Sequence, residues 1–211
     1  LEWEGVVVTS GAKQALFNAT FTLFGPGDEV IVPAPYWTTY PDLVKVARAE
    51  PVIAFGDEAG AFKVDPSRLD AVATERTRGI VLNTPCNPTG AVYTLEELEA
   101  IAAWAKERDA WLLSDEIYRA IYYGEEGAAA PGLLDLPADR VGPFVLIDGA
   151  SKCFSMTGWR VGYSYAPPEV SKKLTALQSQ ITSNPTTPAQ VAALEAYTNV
   201  QASAAAVAEM A

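Results

Sequence analysis

The chain reads as an α/β protein built on a mostly parallel, doubly wound sheet flanked by helices. Two observations predict this class. Short runs rich in Val and Ile alternate with longer segments of amphipathic spacing along the 211 residues. Clusters of Gly, Pro and Asn punctuate the alternation where the chain must turn. In order, GVVVT at 5–9 is a β-branched strand, and 14–24 follows with helical periodicity until GPGD at 25–28 stops it. EVIVP at 29–33 has the unbroken apolar character of a strand covered on both faces, 40–49 is a helix, and PVIAF at 51–55 is the next strand. A short helix at 67–73 precedes the strand GIVLN at 79–83, and NPTG at 87–90 is a turn. Thr94 with Glu97 three residues later forms a capping box that opens a helix to Glu107. WLLSD at 111–115, PFVLIDG at 143–149 and WRVGYSYA at 159–166 complete the strands, with EEGAAAPG at 125–132 as a loop. Helices at 169–180 and from about 188 close the pattern. No internal linker interrupts it, so one domain is predicted.

Composition narrows the functional classes. A formal net charge of -11 would repel a nucleic-acid backbone or an anionic membrane surface, so neither partner is expected. The chain has no histidine, and its two cysteines, Cys86 and Cys153, are not at metal-ligand spacing, so no metal site is predicted. No stretch has the roughly 18 consecutive apolar residues of a membrane helix, and a soluble, cytoplasmic protein is expected. Leu1 stands where a methionine would start a chain, a strand follows almost at once, and an alanine-rich helical pattern is still running at 204–211. These features predict a piece of a longer polypeptide.

In an open α/β sheet, ligands gather beyond the carboxyl ends of the strands. Four polar groups follow apolar runs there: SGAK at 10–13, NTPCNPTG at 83–90, DEIY at 115–118 and SK at 151–152. Gly11, Ala12 and Lys13 lie where a strand turns into a helix, whose first free N–H groups suit a phosphate; a lone tetrapeptide of this kind also serves as a tight turn. Asp115 ends an apolar strand, and desolvation there raises a carboxyl pKa unless a cation or strong donor faces it. It could instead cap the next turn, or pair with Glu116 as in P-loop ATPases, but no GxxxxGK followed by Ser or Thr occurs. A lysine such as Lys152 is ordinarily a snorkelling surface charge. Partial burial near other cations would make it a nucleophile toward aldehydes, and Arg160 follows in SKCFSMTGWR with a planar fork suited to a phosphate.

Taken together, SGAKQALFNA, PAPYWTTYP, NTPCNPTGAVY, LLSDEIY, SKCFSMTGWRVGY and LQSQITSNPTTPAQ, in this order, resemble the large-domain motifs of the class I/II aminotransferases, which are fold type I pyridoxal-phosphate (PLP) enzymes. The likeness spans nearly the whole chain and is strongest toward the bacterial aspartate, aromatic and prephenate subgroup. It implies a PLP-dependent transferase-like large domain over residues 1–211, with an amino-terminal segment and a carboxyl-terminal small domain lying outside. Lys152 then matches the lysine that bonds the cofactor aldehyde and moves the substrate Cα proton. Asp115 matches the partner of the pyridine nitrogen, and Asn87 and Tyr118 match donors to the ring's phenolic oxygen. Trp37 matches the aromatic stacked on the ring, though beside Tyr36 it could simply be core. Gly11, Ala12 and Lys13 match the phosphate turn, and Arg160 the phosphate arginine. Trp37 and Asn87 also match substrate contacts.

The resemblance implies amino-group transfer between an amino acid, of aspartate or aromatic type, and a 2-oxo acid, in a homodimer. Another PLP chemistry, such as a lyase or decarboxylase, would keep the same site, since the fold does not fix which Cα bond breaks. A non-enzymatic PLP-binding sensor of a transcription regulator is the alternative of a different class; no basic helix-turn-helix segment is visible. The family's substrate-carboxylate arginine and its partner-subunit tyrosine have no counterpart here. Positions 86 and 153 are more often serine and alanine in the family. Their cysteines adjoin predicted cofactor residues, which raises a redox-sensitive site as a hypothesis beside the plainer reading of two small residues filling tight space.

Overall fold

The computed structural model describes residues 2–124, 128–199, 201, 203 and 205. The start of the expected loop at 125–132 and most of the tail at 204–211 lie outside the described residues. Seven strands form one sheet: β1 (Val6–Thr9), β2 (Glu29–Ala34), β3 (Glu50–Phe55), β4 (Thr77–Asn83), β5 (Trp111–Asp115), β6 (Phe144–Gly149) and β7 (Gly162–Tyr165). Their spatial order is β1-β7-β6-β5-β4-β2-β3. Pairings among β2 to β6 are parallel, while β7 runs antiparallel to both β1 and β6. The reversal has a simple cause. Between Gly149 and Gly162 the chain forms only α5 (Ala150–Cys153) and a short 3-10 turn (Thr157–Trp159), with no long helix to carry it back to a parallel start.

Period-two alternation divides the strand side chains between two helical layers. Val30, Val32, Val81, Leu113, Val145 and Ile147 pack under α1 (Ala12–Leu23), α2 (Thr39–Val46) and α6 (Pro168–Ser179). Ile31, Ile80, Leu82 and Leu112 face the other way, against α3 (Pro66–Asp70) and α4 (Leu95–Glu107). A third cluster joins α5 to α7 (Thr187–Thr198) through Ala150, Met156, Val161, Ala189 and Ala193. The predicted capping box is present: Thr94 Oγ1 accepts the Glu97 N–H at 3.2 Å, and Glu97 Oε2 accepts the Thr94 N–H at 2.8 Å.

Element boundaries differ from expectation in two instructive places. Helix α2 ends at Val46 because Arg48 turns left-handed at φ 64°. The last strand starts at Gly162, not Trp159, because Arg160 is left-handed at φ 56° and breaks extension. Lys152 follows β6 as expected, within the single turn of α5. Among the described residues no helix is long and apolar enough to cross a membrane.

Candidate active site

At the carboxyl edge of the sheet, Thr9 of β1 and Gly149 of β6 both pair with Gly162 at the start of β7. This rung brings SGAK beside ASKC across some 140 residues of sequence. Glycine is required at the crossing: a Cβ on Gly162 would overlap the Ala12 nitrogen and the Gly11 carbonyl carbon. Gly11 itself has φ 85°, and a Cβ there would strike the Arg160 guanidinium.

A cavity of about 360 Å³ opens at this edge, within the range of small-molecule sites. Ala12, Lys13, Trp37, Asn87, Asp115, Tyr118, Lys152 and Arg160 line it, so eight of the nine residues singled out from the sequence share one pocket. Gly11 stands just behind, shaping the turn. Its N–H is directed to the Thr9 carbonyl at 2.8 Å, so the free amides of the turn are those of Ala12 and Lys13, which as first helical residues have no intrahelical acceptor. Arg160 closes over the same turn, donating to the Thr157 and Ser10 carbonyls at 2.9 and 3.4 Å. Lys13 lies 4.7 Å from the Trp37 ring centre, and Lys152 lies 5.5 Å from that of Tyr118. Among the described residues none of these three cations has a carboxylate partner. The pocket thus offers unneutralised positive charge and a helix amino terminus to an anion.

Asp115 supplies the opposite sign. It is 2% exposed, and burial pushes its carboxyl up to about 6. The Tyr40 hydroxyl donates to Oδ2 at 2.8 Å and the Ile117 N–H to Oδ1 at 3.2 Å, and both draw the value partly back. Burial, followed by the charge of Asp115, holds the Tyr40 hydroxyl well above its usual range, so it stays a donor. Among the described residues no cation pairs with this carboxylate. Asn83 ties the neighbouring loop to this strand: its Nδ2 donates to the Asp115 carbonyl at 2.9 Å and its Oδ1 accepts the Asn87 N–H at 2.7 Å. The Asn87 amide is thereby placed 3.5 Å from the Tyr118 hydroxyl, at the long limit of a hydrogen bond.

Sequence reasoning missed Tyr40 and Thr157, and it gave no role to Asn83 and Ser151 although both open polar groups that it placed at this edge. Tyr40 sits three residues beyond Trp37, one helical turn on, a spacing that could have paired the two on one face. Ser151 and Thr157 line the pocket, joined by a 3.1 Å bond from the Thr157 hydroxyl to the Ser151 carbonyl. Neither cysteine lines the cavity. Cys153 points to the Gly149 carbonyl at 3.4 Å, and burial pushes its thiol up to about 11, against thiolate chemistry. Among the described residues no group of three or more acidic, Cys or His side chains could hold a metal.

Fold and site together define an α/β domain with a lysine-bearing, anion-receptive pocket at its sheet edge. The family model for aminotransferase class I and II matches residues 1–211, and the chain belongs to that family. It is 47% identical over 204 residues to the aspartate/prephenate aminotransferase of Thermus thermophilus, covering 96% of this chain and 51% of that protein. It is 46% identical over 180 residues to an aspartate aminotransferase of Streptomyces avermitilis, covering 85% and 43%. The structure of the Thermus thermophilus aspartate aminotransferase with maleate superposes with a TM-score of 0.87 at 46% identity, over 96% of this chain and 51% of that one. An aromatic aminotransferase from Pyrococcus horikoshii gives 0.89 at 33% identity, over 98% and 54%. The chain spans about half the length of the curated relatives it matches.

Proposed function

We propose that residues 1–211 are the PLP-binding large domain of an aminotransferase that moves an amino group between an amino acid of aspartate type and a 2-oxo acid by a ping-pong cycle. The observation that carries this reading is one pocket holding a primary amine, a buried carboxylate, a guanidinium and a helix amino terminus, with no ion pair to the carboxylate or the guanidinium among the described residues. Those groups fit PLP. The Ala12 and Lys13 amides and Arg160 suit its phosphate, for which the Gly11 turn leaves no room for a side chain. Asp115 suits its ring nitrogen.

When bound, PLP supplies an aldehyde for the amine chemistry and a ring that takes up the electron pair left at substrate Cα. Lys152 would hold the aldehyde end of the cofactor and has the amine that could move a proton at substrate Cα. Asp115 would hold the ring nitrogen, with Tyr40 keeping its carboxylate oriented. Trp37 would cover the ring, and Asn87 and Tyr118 would offer donors to its phenolic oxygen. Lys13, held over Trp37 and without an acidic partner among the described residues, is available to a second carboxylate, which supports an acidic substrate. The relative whose structure was solved with maleate, a dicarboxylate, supports the same class. We place the intact protein in the cytoplasm as a homodimer; half-exposed or more exposed Trp159, Val191 and Leu194 support burial against a partner.

The test is a PLP absorbance titration with borohydride reduction, wild type beside Lys152→Ala. Wild type is expected to fix the cofactor covalently on Lys152, and the variant to fix none. A folded wild type that fixes none would overturn the reading. Product analysis with aspartate and a 2-oxo acid then separates transamination from decarboxylation or elimination.

A further inference from the structure

The anion-binding turn stands on weak foundations. It ends β1, an edge strand of four residues that among the described residues is bonded on one side only, to β7. A chain of side chains outside the pocket braces it from behind. Gln14, in the first turn of α1, bends back so that its Oε1 accepts the Ser10 N–H at 2.7 Å, while its Nε2 donates to the Thr182 hydroxyl. Thr182 belongs to the turn that follows α6. That turn wraps one residue, Gln178, whose carbonyl accepts the N–H groups of Ile181, Thr182 and Ser183 at 3.0 to 3.1 Å. Gln178 is 4% exposed and is itself clamped: its Nε2 donates to the Val8 carbonyl of β1 at 2.7 Å and to the Ser183 carbonyl at 3.2 Å, and its Oε1 accepts from Asn18 of α1 at 2.9 Å.

The geometry of the turn gives this brace a consequence. The Ser10 N–H goes to Gln14 and the Gly11 N–H to Thr9, so the two amides left facing the cavity are those of Ala12 and Lys13. Without Gln14 the Ser10 amide loses its partner, and the turn is free to rotate until one of its donors finds another acceptor. We propose that Gln14, Thr182 and Gln178 are positioning residues that hold the Ala12 and Lys13 amides in register for the cofactor phosphate. The motif LQSQITSNPTTPAQ, to which the pocket assigns no role, then acts through this relay. The inference rests on the PLP reading.

The test compares dissociation constants for PLP and for pyridoxal, which lacks the phosphate, in the intact protein carrying Gln14→Ala, Thr182→Val or Thr182→Ser. Borohydride fixation of PLP on wild-type Lys152 comes first; its failure would count against the PLP reading itself. With that secured, Gln14→Ala is expected to weaken PLP about tenfold, the worth of one hydrogen bond to a charged group, and to leave pyridoxal within about twofold. Thr182→Val, at an exposed position that does not endanger folding, is expected to weaken PLP in the same direction, and Thr182→Ser to restore it. Equal losses for both ligands, or no loss for either, would overturn the relay.

Discussion

At the residue scale, the pairing of Tyr40 with Asp115 decides how the buried carboxylate behaves. Burial raises Asp115, and the phenol offsets part of that by donating to the charged form. Tyr40→Phe keeps the edge-on ring contact with Trp37, at 5.5 Å between centres, and removes only the donor. The Asp115 midpoint is therefore expected to rise above its present value of about 6, by about one unit if the bond is worth about 1.4 kcal/mol. Carboxyl-carbon NMR titration of the cofactor-free protein measures this, and an unchanged midpoint would assign the offset to the Ile117 amide alone. The polar residues that directly follow apolar runs were legible because strand ends declare themselves by a change of character. Tyr40 was not, and Asn83, although it opens one of those polar runs, gave no sign of its role. An aromatic inside an amphipathic helix and an asparagine closing a strand have ordinary packing and turn roles, and only the fold shows that each touches Asp115 or its loop.

At the scale of elements, the alternation of strands and helices was readable almost throughout, because apolar period and turn chemistry agree from β2 to α4. The direction of β7 was not read, although the shortness of its link to β6 carried the information. That reversal makes Gly162 the shared neighbour of two halves of the pocket. Gly162→Ala is expected to push the Ala12 turn outward, lowering stability by about 1 to 3 kcal/mol and weakening cofactor binding. Gly25→Ala, whose new Cβ meets nothing within 4 Å, is the control and should stay within about 0.5 kcal/mol of wild type. Denaturant midpoints for both, with a PLP titration, check the pair; equal behaviour would mean that the crossing tolerates a methyl group.

At the scale of the molecule, stability should depend on pH through Asp148. Burial pushes its carboxyl up to about 7, against partial relief from the Gly149 N–H at 2.6 Å and the Tyr163 hydroxyl at 3.2 Å. Glu116 and Asp115 add repulsion, and the Cys153 thiol lies close enough to be raised in turn by its charge. The native state therefore binds a proton that the unfolded chain, titrating at about 3.9, has already released. Stability from this group is full below about pH 4 and is lost as pH rises toward 7. Between pH 5 and 7 the loss is up to about 3 kcal/mol, and Asp148→Asn is expected to remove that part of the slope. Urea unfolding of both proteins at pH 5, 6 and 7 reads it directly; parallel curves would place the titration elsewhere. A different kind of consequence follows from the rung that joins Thr9, Gly162 and Gly149. During synthesis β1 leaves the ribosome long before β7, its partner in the sheet among the described residues, exists. At roughly 5 to 20 residues per second the wait is on the order of ten seconds, with β1 unpaired throughout. No cofactor can be captured at the Gly11 turn until that strand docks, so the interval before β7 emerges is when the nascent chain is most open to mispairing and to chaperones.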